Sequence, residues 1–192
     1  MRNNKLFVIL GKSASGKSTI LREVLSKLDI PVLVSNTTRP KRSNEIDGQE
    51  YNFVDMHTFD EDYKNEDVLE YDVYRIDSLK ETWVYYTKKS DLLLPTTSQI
   101  KIVSPTGLSQ LMSNKELRDN IVSIYIDCPD RLRQKRYLTR SLSPDNMNDR
   151  FARDEKAFEH LFTDYIIIND ENTSIHEASN QLINIIEKEL RY

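Results

Sequence analysis

Glycine is scarce in this chain, with four residues among 192 where average usage of about 7% would supply roughly thirteen. The scarcity excludes collagen-like repeats, glycine-rich linkers and low-complexity disorder. A chain so sparing keeps glycine where no other residue fits, which singles out Gly11, Gly16, Gly48 and Gly107. Cysteine is scarcer still. Cys128 stands alone, so an intramolecular disulfide and a multi-cysteine metal site are excluded, a reducing compartment is favoured, and the residue reads as a small buried hydrophobe. Long apolar runs are also missing. After Arg2 and Lys5, the stretch Leu6 to Leu10 ends at Gly11-Lys12, too short for a signal-peptide core or a membrane span. The expected location is the cytoplasm, with no membrane partner. Nor is positive charge in excess: 27 Lys and Arg against 31 Asp and Glu leave a net charge of −4 and no global reason to expect a nucleic acid. His57, His160 and His176 are scattered, which suggests neither a catalytic triad nor a histidine metal site.

The remaining composition, 38% hydrophobic and 30% charged, suits one soluble domain with a real core. Lys5-Leu-Phe-Val-Ile-Leu10 is a continuous apolar run of the kind found in a parallel strand covered on both faces. Ser18 to Leu28 then places Ile20, Leu21, Val24, Leu25 and Leu28 at helical spacing. Further strand-like runs lie at 31–35, 100–103, 121–126 and 165–168, and helical patterns near 105–113, 129–140, 148–162 and 174–190. Strands alternating with helices predict an α/β fold with a doubly wound parallel sheet. Residues 36–98 break the rhythm with short aromatic segments and many polar residues, and read as a small β-containing insertion. A second polar interruption, Ser141 to Asn148, separates two arginine-bearing helices in the manner of a flap.

Between the first strand and the first helix lies Gly11-Lys-Ser13-Ala14-Ser15-Gly16-Lys17-Ser18, followed by Thr19, which fits the phosphate-loop pattern G-x-x-x-x-G-K-[ST] in its required context. Glycines permit a tight loop whose N–H groups turn inward, and the helix N-terminus adds positive dipole. Lys17 neutralises terminal phosphates and the Ser18 hydroxyl can ligate Mg²⁺. By chance the pattern arises in roughly one chain in a hundred of this length, so an ordinary strand-to-helix turn is the weaker reading.

After the second strand-like run come Ser35-Asn-Thr-Thr-Arg39-Pro-Lys-Arg42, then Gly48-Gln-Glu-Tyr51-Asn-Phe53, then Leu69-Glu70-Tyr71. Singly, a basic turn is most often a solvated face and a Glu or Tyr near an apolar stretch is most often packing. In this order, behind a phosphate loop, the series resembles the guanylate kinase family over about residues 5–190. The resemblance continues through Tyr85-Tyr86-Thr87, Arg136 and Arg140 one helical turn apart, Arg150, and Ile168-Asn169-Asp170. It implies a P-loop NTPase-type core at 1–35 and 99–192, with a helical lid at about 136–150 inside it. It also implies an acceptor-binding insertion at 36–98. ATP would bind Gly11, Ser13, Ala14, Ser15, Gly16, Lys17, Ser18, Thr19 and Asn169, with Mg²⁺ at Ser18. Arg39, Arg42 and Tyr51 would hold the acceptor's phosphate, since two guanidiniums and a phenol satisfy a dianion. Ser35 and Glu70 would read the base, a carboxylate accepting from N1–H and the 2-amino group of guanine side by side. Tyr86 and Thr87 would complete the acceptor site, and Lys17, Arg136, Arg140 and Arg150 would stabilise the transferring phosphoryl group.

Three departures from the family pattern bear on the acceptor. Two alternating aspartates before Gly107 are replaced, and Ser104 stands where the second would be, which predicts weaker guanine selectivity and metal organisation. The segment after Glu70 is about seven residues longer than usual, which predicts a remodelled acceptor pocket. Tyr86 is followed directly by Thr87, without the glycine that family members place between aromatic and hydroxyl residues. Phosphoryl transfer from MgATP to GMP or dGMP is the leading expectation. A kinase with another acceptor, and a non-catalytic module that binds a phosphorylated or acidic peptide, are the alternatives; the intact Lys17-Ser18 argues against the latter.

Overall fold

The structure is a computed structural model that describes residues 4–43, 45–76, 80–139 and 147–191. In chain order the elements are β1 (Leu6–Leu10), α1 (Lys17–Leu25), β2 (Asn36–Thr37), β3 (Asn52–Phe53), α2 (Met56–Lys64), β4 (Val68–Ile76) and β5 (Glu81–Lys88). They continue with β6 (Gln99–Ile102), α3 (Pro105–Ser113), β7 (Ile121–Asp127), α4 (Asp130–Leu138), α5 (Met147–Phe158), β8 (Tyr165–Ile168) and α6 (Ile175–Leu190).

The core sheet has the order β6-β1-β7-β8, every pairing parallel. β1 lies at its centre and is buried throughout. Phe7 and Ile9 face one cluster with Ile20, Val24, Leu182 and Ile186 of α1 and α6. Leu6, Val8 and Leu10 face the other, with Leu108, Leu111 and Leu117. Two covered faces explain why β1 shows no polar alternation. The run at 31–35 falls short of a full strand. It joins the edge by a single bridge, Val32 to Ile100, with the Leu33 N–H donating to Ile100 O at 2.8 Å. Pro31 accepts from the Ile100 N–H but has no N–H of its own to extend the ladder.

Residues 36–88 hold a second sheet of order β3-β2-β5-β4. β4 and β5 form a long antiparallel hairpin whose register runs from Glu70 opposite Thr87 to Ile76 opposite Glu81. A register shift between Val68 and Glu70 sets the carboxylate's direction. The longer segment expected after Glu70 includes this hairpin. Within it Tyr74 packs edge-on against Tyr85, with ring centroids 5.2 Å apart, and the Arg153 guanidinium lies 5.8 Å from the Tyr74 ring. α2 is a helix absent from the sequence reading. Asp55 caps it, accepting from the Thr58 N–H at 2.8 Å. Its aromatic face, Phe59 and Tyr63, packs on Tyr71 and Tyr86. Among the described residues no helix is long and apolar enough to cross a membrane.

Candidate functional site

The loop after β1 is shaped by two left-handed residues, Ala14 (φ 62°) and Gly16 (φ 99°). Consecutive turns of this kind point backbone N–H groups into one concavity, a preformed anion seat at the N-terminus of α1. Gly16 is required twice over. Its φ suits no L side chain well, and a Cβ there would stand 2.5 Å from Asn169 Nδ2. Lys17 folds over the loop, donating to Gly11 O at 2.6 Å and Lys12 O at 3.2 Å. Ser18 and Thr19, on the first turn of α1, are exposed.

The Ser15 carbonyl is held from behind. Asn169 Nδ2 donates to it at 2.6 Å and Arg136 at 3.2 Å, and Arg136 also donates to Asn169 Oδ1 and approaches Cys128 Sγ at 3.3 Å. Asn169 has no exposed surface. Its side chain shapes the loop through the Ser15 carbonyl. Cys128 is buried, as its reading as a small hydrophobe anticipates.

α5 reaches the other side of the loop. Arg150 Nε donates to Ser13 Oγ at 2.8 Å, Asp154 accepts from the Ser13 N–H at 2.6 Å, and Lys12 pairs with Glu155 at 2.6 Å. Arg133, on α4, binds these parts together and was missed from sequence. Its guanidinium, without exposed surface, donates to Ser13 O at 3.0 Å, pairs with Asp130 and Asp154, and lies 4.3 Å from the Phe151 ring centroid. The available signal was spacing, since Arg133 precedes Arg136 by three residues on one helix. Arg140, the remaining lid arginine expected from sequence, lies outside the described residues.

On the second sheet, Arg39 is almost fully buried. It donates to Glu45 Oε1 at 2.7 Å, to Pro40 O, and through Nε to the Tyr85 hydroxyl at 3.1 Å. Its guanidinium also lies 5.6 Å from the Tyr51 ring centroid and 5.5 Å from that of Phe53. Glu45 accepts in addition from the Arg42 N–H at 2.8 Å. Burial would raise the Glu45 carboxyl, but the Arg39 guanidinium and the Arg42 amide hold it below the usual range. Burial foremost pushes the Tyr51 phenol up to about 12, so it remains a hydrogen-bond donor at any ordinary pH. Arg39 and Arg42 thus hold an internal carboxylate, with Tyr51 and Tyr85 against Arg39, and groups that hold one oxyanion can hold another.

Tyr86 does not join them. Residues 85 and 87 share one face of β5 and residue 86 takes the other. Tyr86 is fully buried against Phe59, and its hydroxyl donates to Asp62 at 2.7 Å. Tyr85, whose ring meets Tyr51 at 5.4 Å, takes the place assigned from sequence to Tyr86. The aromatic and hydroxyl residues are then Tyr85 and Thr87, and Tyr86 stands where the family glycine was expected.

Where the two sheets meet, Glu70 lies under the N-terminus of α3. Thr87 Oγ1 donates to Glu70 Oε1 at 2.6 Å, and Lys101 Nζ is 3.2 Å from the same oxygen. Lys101 also donates to Thr87 Oγ1 and, at 2.8 Å, to Ser35 Oγ. Gln110 of α3 clamps the next residue through both its backbone groups, accepting from Tyr71 N and donating to Tyr71 O. Ser104 caps α3, its hydroxyl accepting from the Gly107 N–H at 3.1 Å. A Cβ on Gly107 would stand 2.7 Å from Glu70 Oε2. The same Cβ would stand 3.2 Å from Val103 Cβ, so Gly107→Ala is expected to displace the Glu70 carboxylate and press on the core beside it.

A family model described as guanylate kinase matches residues 3–189. The guanylate kinase of Nitrobacter winogradskyi is 31% identical over 195 residues, covering 98% of this chain and 84% of that protein. That of Thermotoga maritima is 30% identical over 191 residues, covering 96% and 87%. The crystal structure of guanylate kinase from Anaplasma phagocytophilum superposes with a TM-score of 0.73 at 22% identity, covering 100% of this chain and 89% of that one.

Proposed function

Because this chain belongs to the guanylate kinase family, we infer that it is an ATP-dependent nucleoside monophosphate kinase. It transfers the γ-phosphoryl group of MgATP to GMP or dGMP and yields ADP and GDP or dGDP. The observation that carries the reading is the pairing of two anion seats of different construction. One is the backbone nest at Ala14 and Gly16 with Lys17; the other is the guanidinium and phenol cluster of Arg39, Arg42, Tyr51 and Tyr85. ATP takes the first and the acceptor's phosphate the second. Residues 36–98 form the acceptor-binding part, residues 1–35 and 99–192 the core, and about 136–150 the lid.

The chemistry needs no protein base. The acceptor phosphate is already nucleophilic near neutral pH, and catalysis rests on alignment and on positive charge around the moving group. Lys17 supplies that charge from the loop. Arg136 and Arg150, which touch the loop from opposite sides through Ser15 O and Ser13 Oγ, supply it from the lid together with Arg140. Mg²⁺ suits the donor set as an ion that arrives with the nucleotide. Among the described residues no group of three or more His, Cys, Asp or Glu could form a cage, whereas the exposed Ser18 hydroxyl can give one ligand to an ion that keeps phosphate and water oxygens. Bound there, the ion would screen charge between the phosphates. A cytoplasmic setting supplies both nucleotides.

A panel of nucleoside monophosphates in a coupled ADP-release assay tests this function. ADP should appear only with an acceptor and fastest with GMP or dGMP. Strongest turnover on AMP or CMP would overturn the guanine assignment. Absence of turnover on every acceptor would overturn the kinase.

A further inference from the structure

Lys101 is a charged side chain with no exposed surface, on the edge strand of the core sheet. Nothing in the phosphate chemistry uses it. Its surroundings are the three groups expected to read the acceptor base: Ser35, Glu70 and Thr87. All three lie within hydrogen-bond reach of the one ammonium, which has three N–H donors and no acceptor. The ammonium is thereby saturated by this set.

The direction of each bond follows from that chemistry. Since Lys101 can only donate, Thr87 Oγ1 accepts from it and must spend its own hydrogen elsewhere, which it does on Glu70 Oε1 at 2.6 Å. Ser35 Oγ likewise accepts from Lys101, so its hydrogen is turned away from the ammonium. Ser35 is half-buried, and its hydroxyl hydrogen is left for a partner other than Lys101. On the carboxylate, Oε1 is engaged by Thr87 and Lys101, while Oε2 is held against Gly107 at the N-terminus of α3. A buried cation beneath Ser35 also favours a negative ligand atom above it.

We propose that Lys101 is a positioning residue that fixes the hydrogen-bond polarity of the base pocket, making it a reader of the lactam edge of 6-oxopurines. Ser35 donates to a ring carbonyl beside the buried ammonium, and Glu70 Oε2 accepts the neighbouring ring N–H. Guanine and hypoxanthine both present that C=O and N–H pair. Adenine presents an amino group and a bare ring nitrogen, and its nitrogen lone pair would face the carboxylate. The exocyclic 2-amino group has lost its second carboxylate, since Ser104 spends its hydroxyl on capping α3. The pocket therefore distinguishes oxopurine from aminopurine strongly, and guanine from hypoxanthine weakly. This inference rests on the nucleotide kinase reading above and adds to it the buried lysine that sets the direction of the bonds made by Ser35, Thr87 and Glu70.

Burial pulls the Lys101 ammonium down and the Glu70 carboxylate pulls it back up. Removing the lysine alone leaves a carboxylate buried without its counter-charge, so the test uses Lys101→Met, which keeps the chain length, and Lys101→Met/Glu70→Gln, which also removes the stranded charge. Calorimetry with GMP, IMP and AMP, and ADP release with the same three acceptors, are run on all forms. Wild type should bind GMP and IMP within about tenfold of each other and AMP at least a hundredfold more weakly. Lys101→Met should lower the GMP-to-AMP preference at least tenfold with the KM for ATP unchanged. The double variant should fold as stably as wild type without recovering that preference.

The outcomes separate the two claims. A GMP-to-AMP preference unchanged in Lys101→Met overturns the role of Lys101 and leaves the kinase standing. Rejection of IMP as strong as that of AMP overturns the lactam-edge assignment. Binding in the expected order without turnover on any acceptor overturns the kinase and supports the pocket.

Discussion

Replacing Lys17 with alanine is expected to lower kcat for GMP-dependent ADP formation by roughly a hundred- to a thousandfold, the loss typical of one preorganised charge on a developing anion. Lys17 Nζ rests on the Gly11 and Lys12 carbonyls, so it already lies along the loop that would receive the terminal phosphates. The side chain is partly exposed and belongs to neither hydrophobic cluster. The melting temperature of Lys17→Ala should therefore stay within about 3 °C of wild type, corresponding to about 1 kcal/mol or less. A variant that keeps a kcat within tenfold of wild type would sink the assignment of this loop to the transferring phosphates.

The second large effect combines stability with acceptor binding. Arg39 and Glu45 form a pair whose side chains are 3% and 9% exposed, buried enough for removal of one partner to strand the other. Arg39→Ala should cost about 3–5 kcal/mol and lower the melting temperature by about 10 °C. The same change removes a charged, planar donor from the acceptor-phosphate seat. The KM for GMP should rise roughly a hundredfold, as two charge-assisted hydrogen bonds would account for. Arg39→Ala/Glu45→Ala separates the contributions: it should regain most of the stability and none of the acceptor affinity. Urea unfolding and initial rates at varied GMP on the three proteins decide the matter. Recovery of affinity in the double variant would show that Arg39 serves only to neutralise Glu45.

The parts legible in the sequence are those whose physics is local. Leu6 to Leu10 had to be a doubly covered strand because all five residues are apolar, and the loop at Gly11 to Ser18 is bounded by elements with clear periods. The basic segment at Arg39 was legible through the order of its motif. What escaped needed registry or contacts between distant residues. Choosing Tyr85 over Tyr86 requires knowing which face of β5 looks at Tyr51, and two adjacent tyrosines carry no such mark. α2 buries no residue completely and offers no strong apolar stripe, so its aromatic face meets a partner only after the hairpin forms. Lys101 was invisible for another reason: lysine within a strand is ordinarily read as solvent-facing, and only Glu70, some thirty positions earlier, makes burial tolerable.

The two sheets share no ladder. They are joined by a mixed seam: Lys101 to Ser35, Thr87 and Glu70, Gln110 to the Tyr71 backbone, and Leu69 against the cluster of Leu108 and Leu111. The chain enters the outer sheet at β2 and leaves it at β5, which are direct neighbours, so that sheet hangs from the core on two adjacent strands like a leaf on a double stalk. A swing of the leaf would bend the stalk and open the seam without breaking a strand pairing. An apolar seam would lose buried area on opening. Opening this one would trade hydrogen bonds for those of water but would also expose Leu69 and the buried Lys101–Glu70 pair, so the joint is biased towards the closed arrangement in which Lys101 holds the base-reading groups.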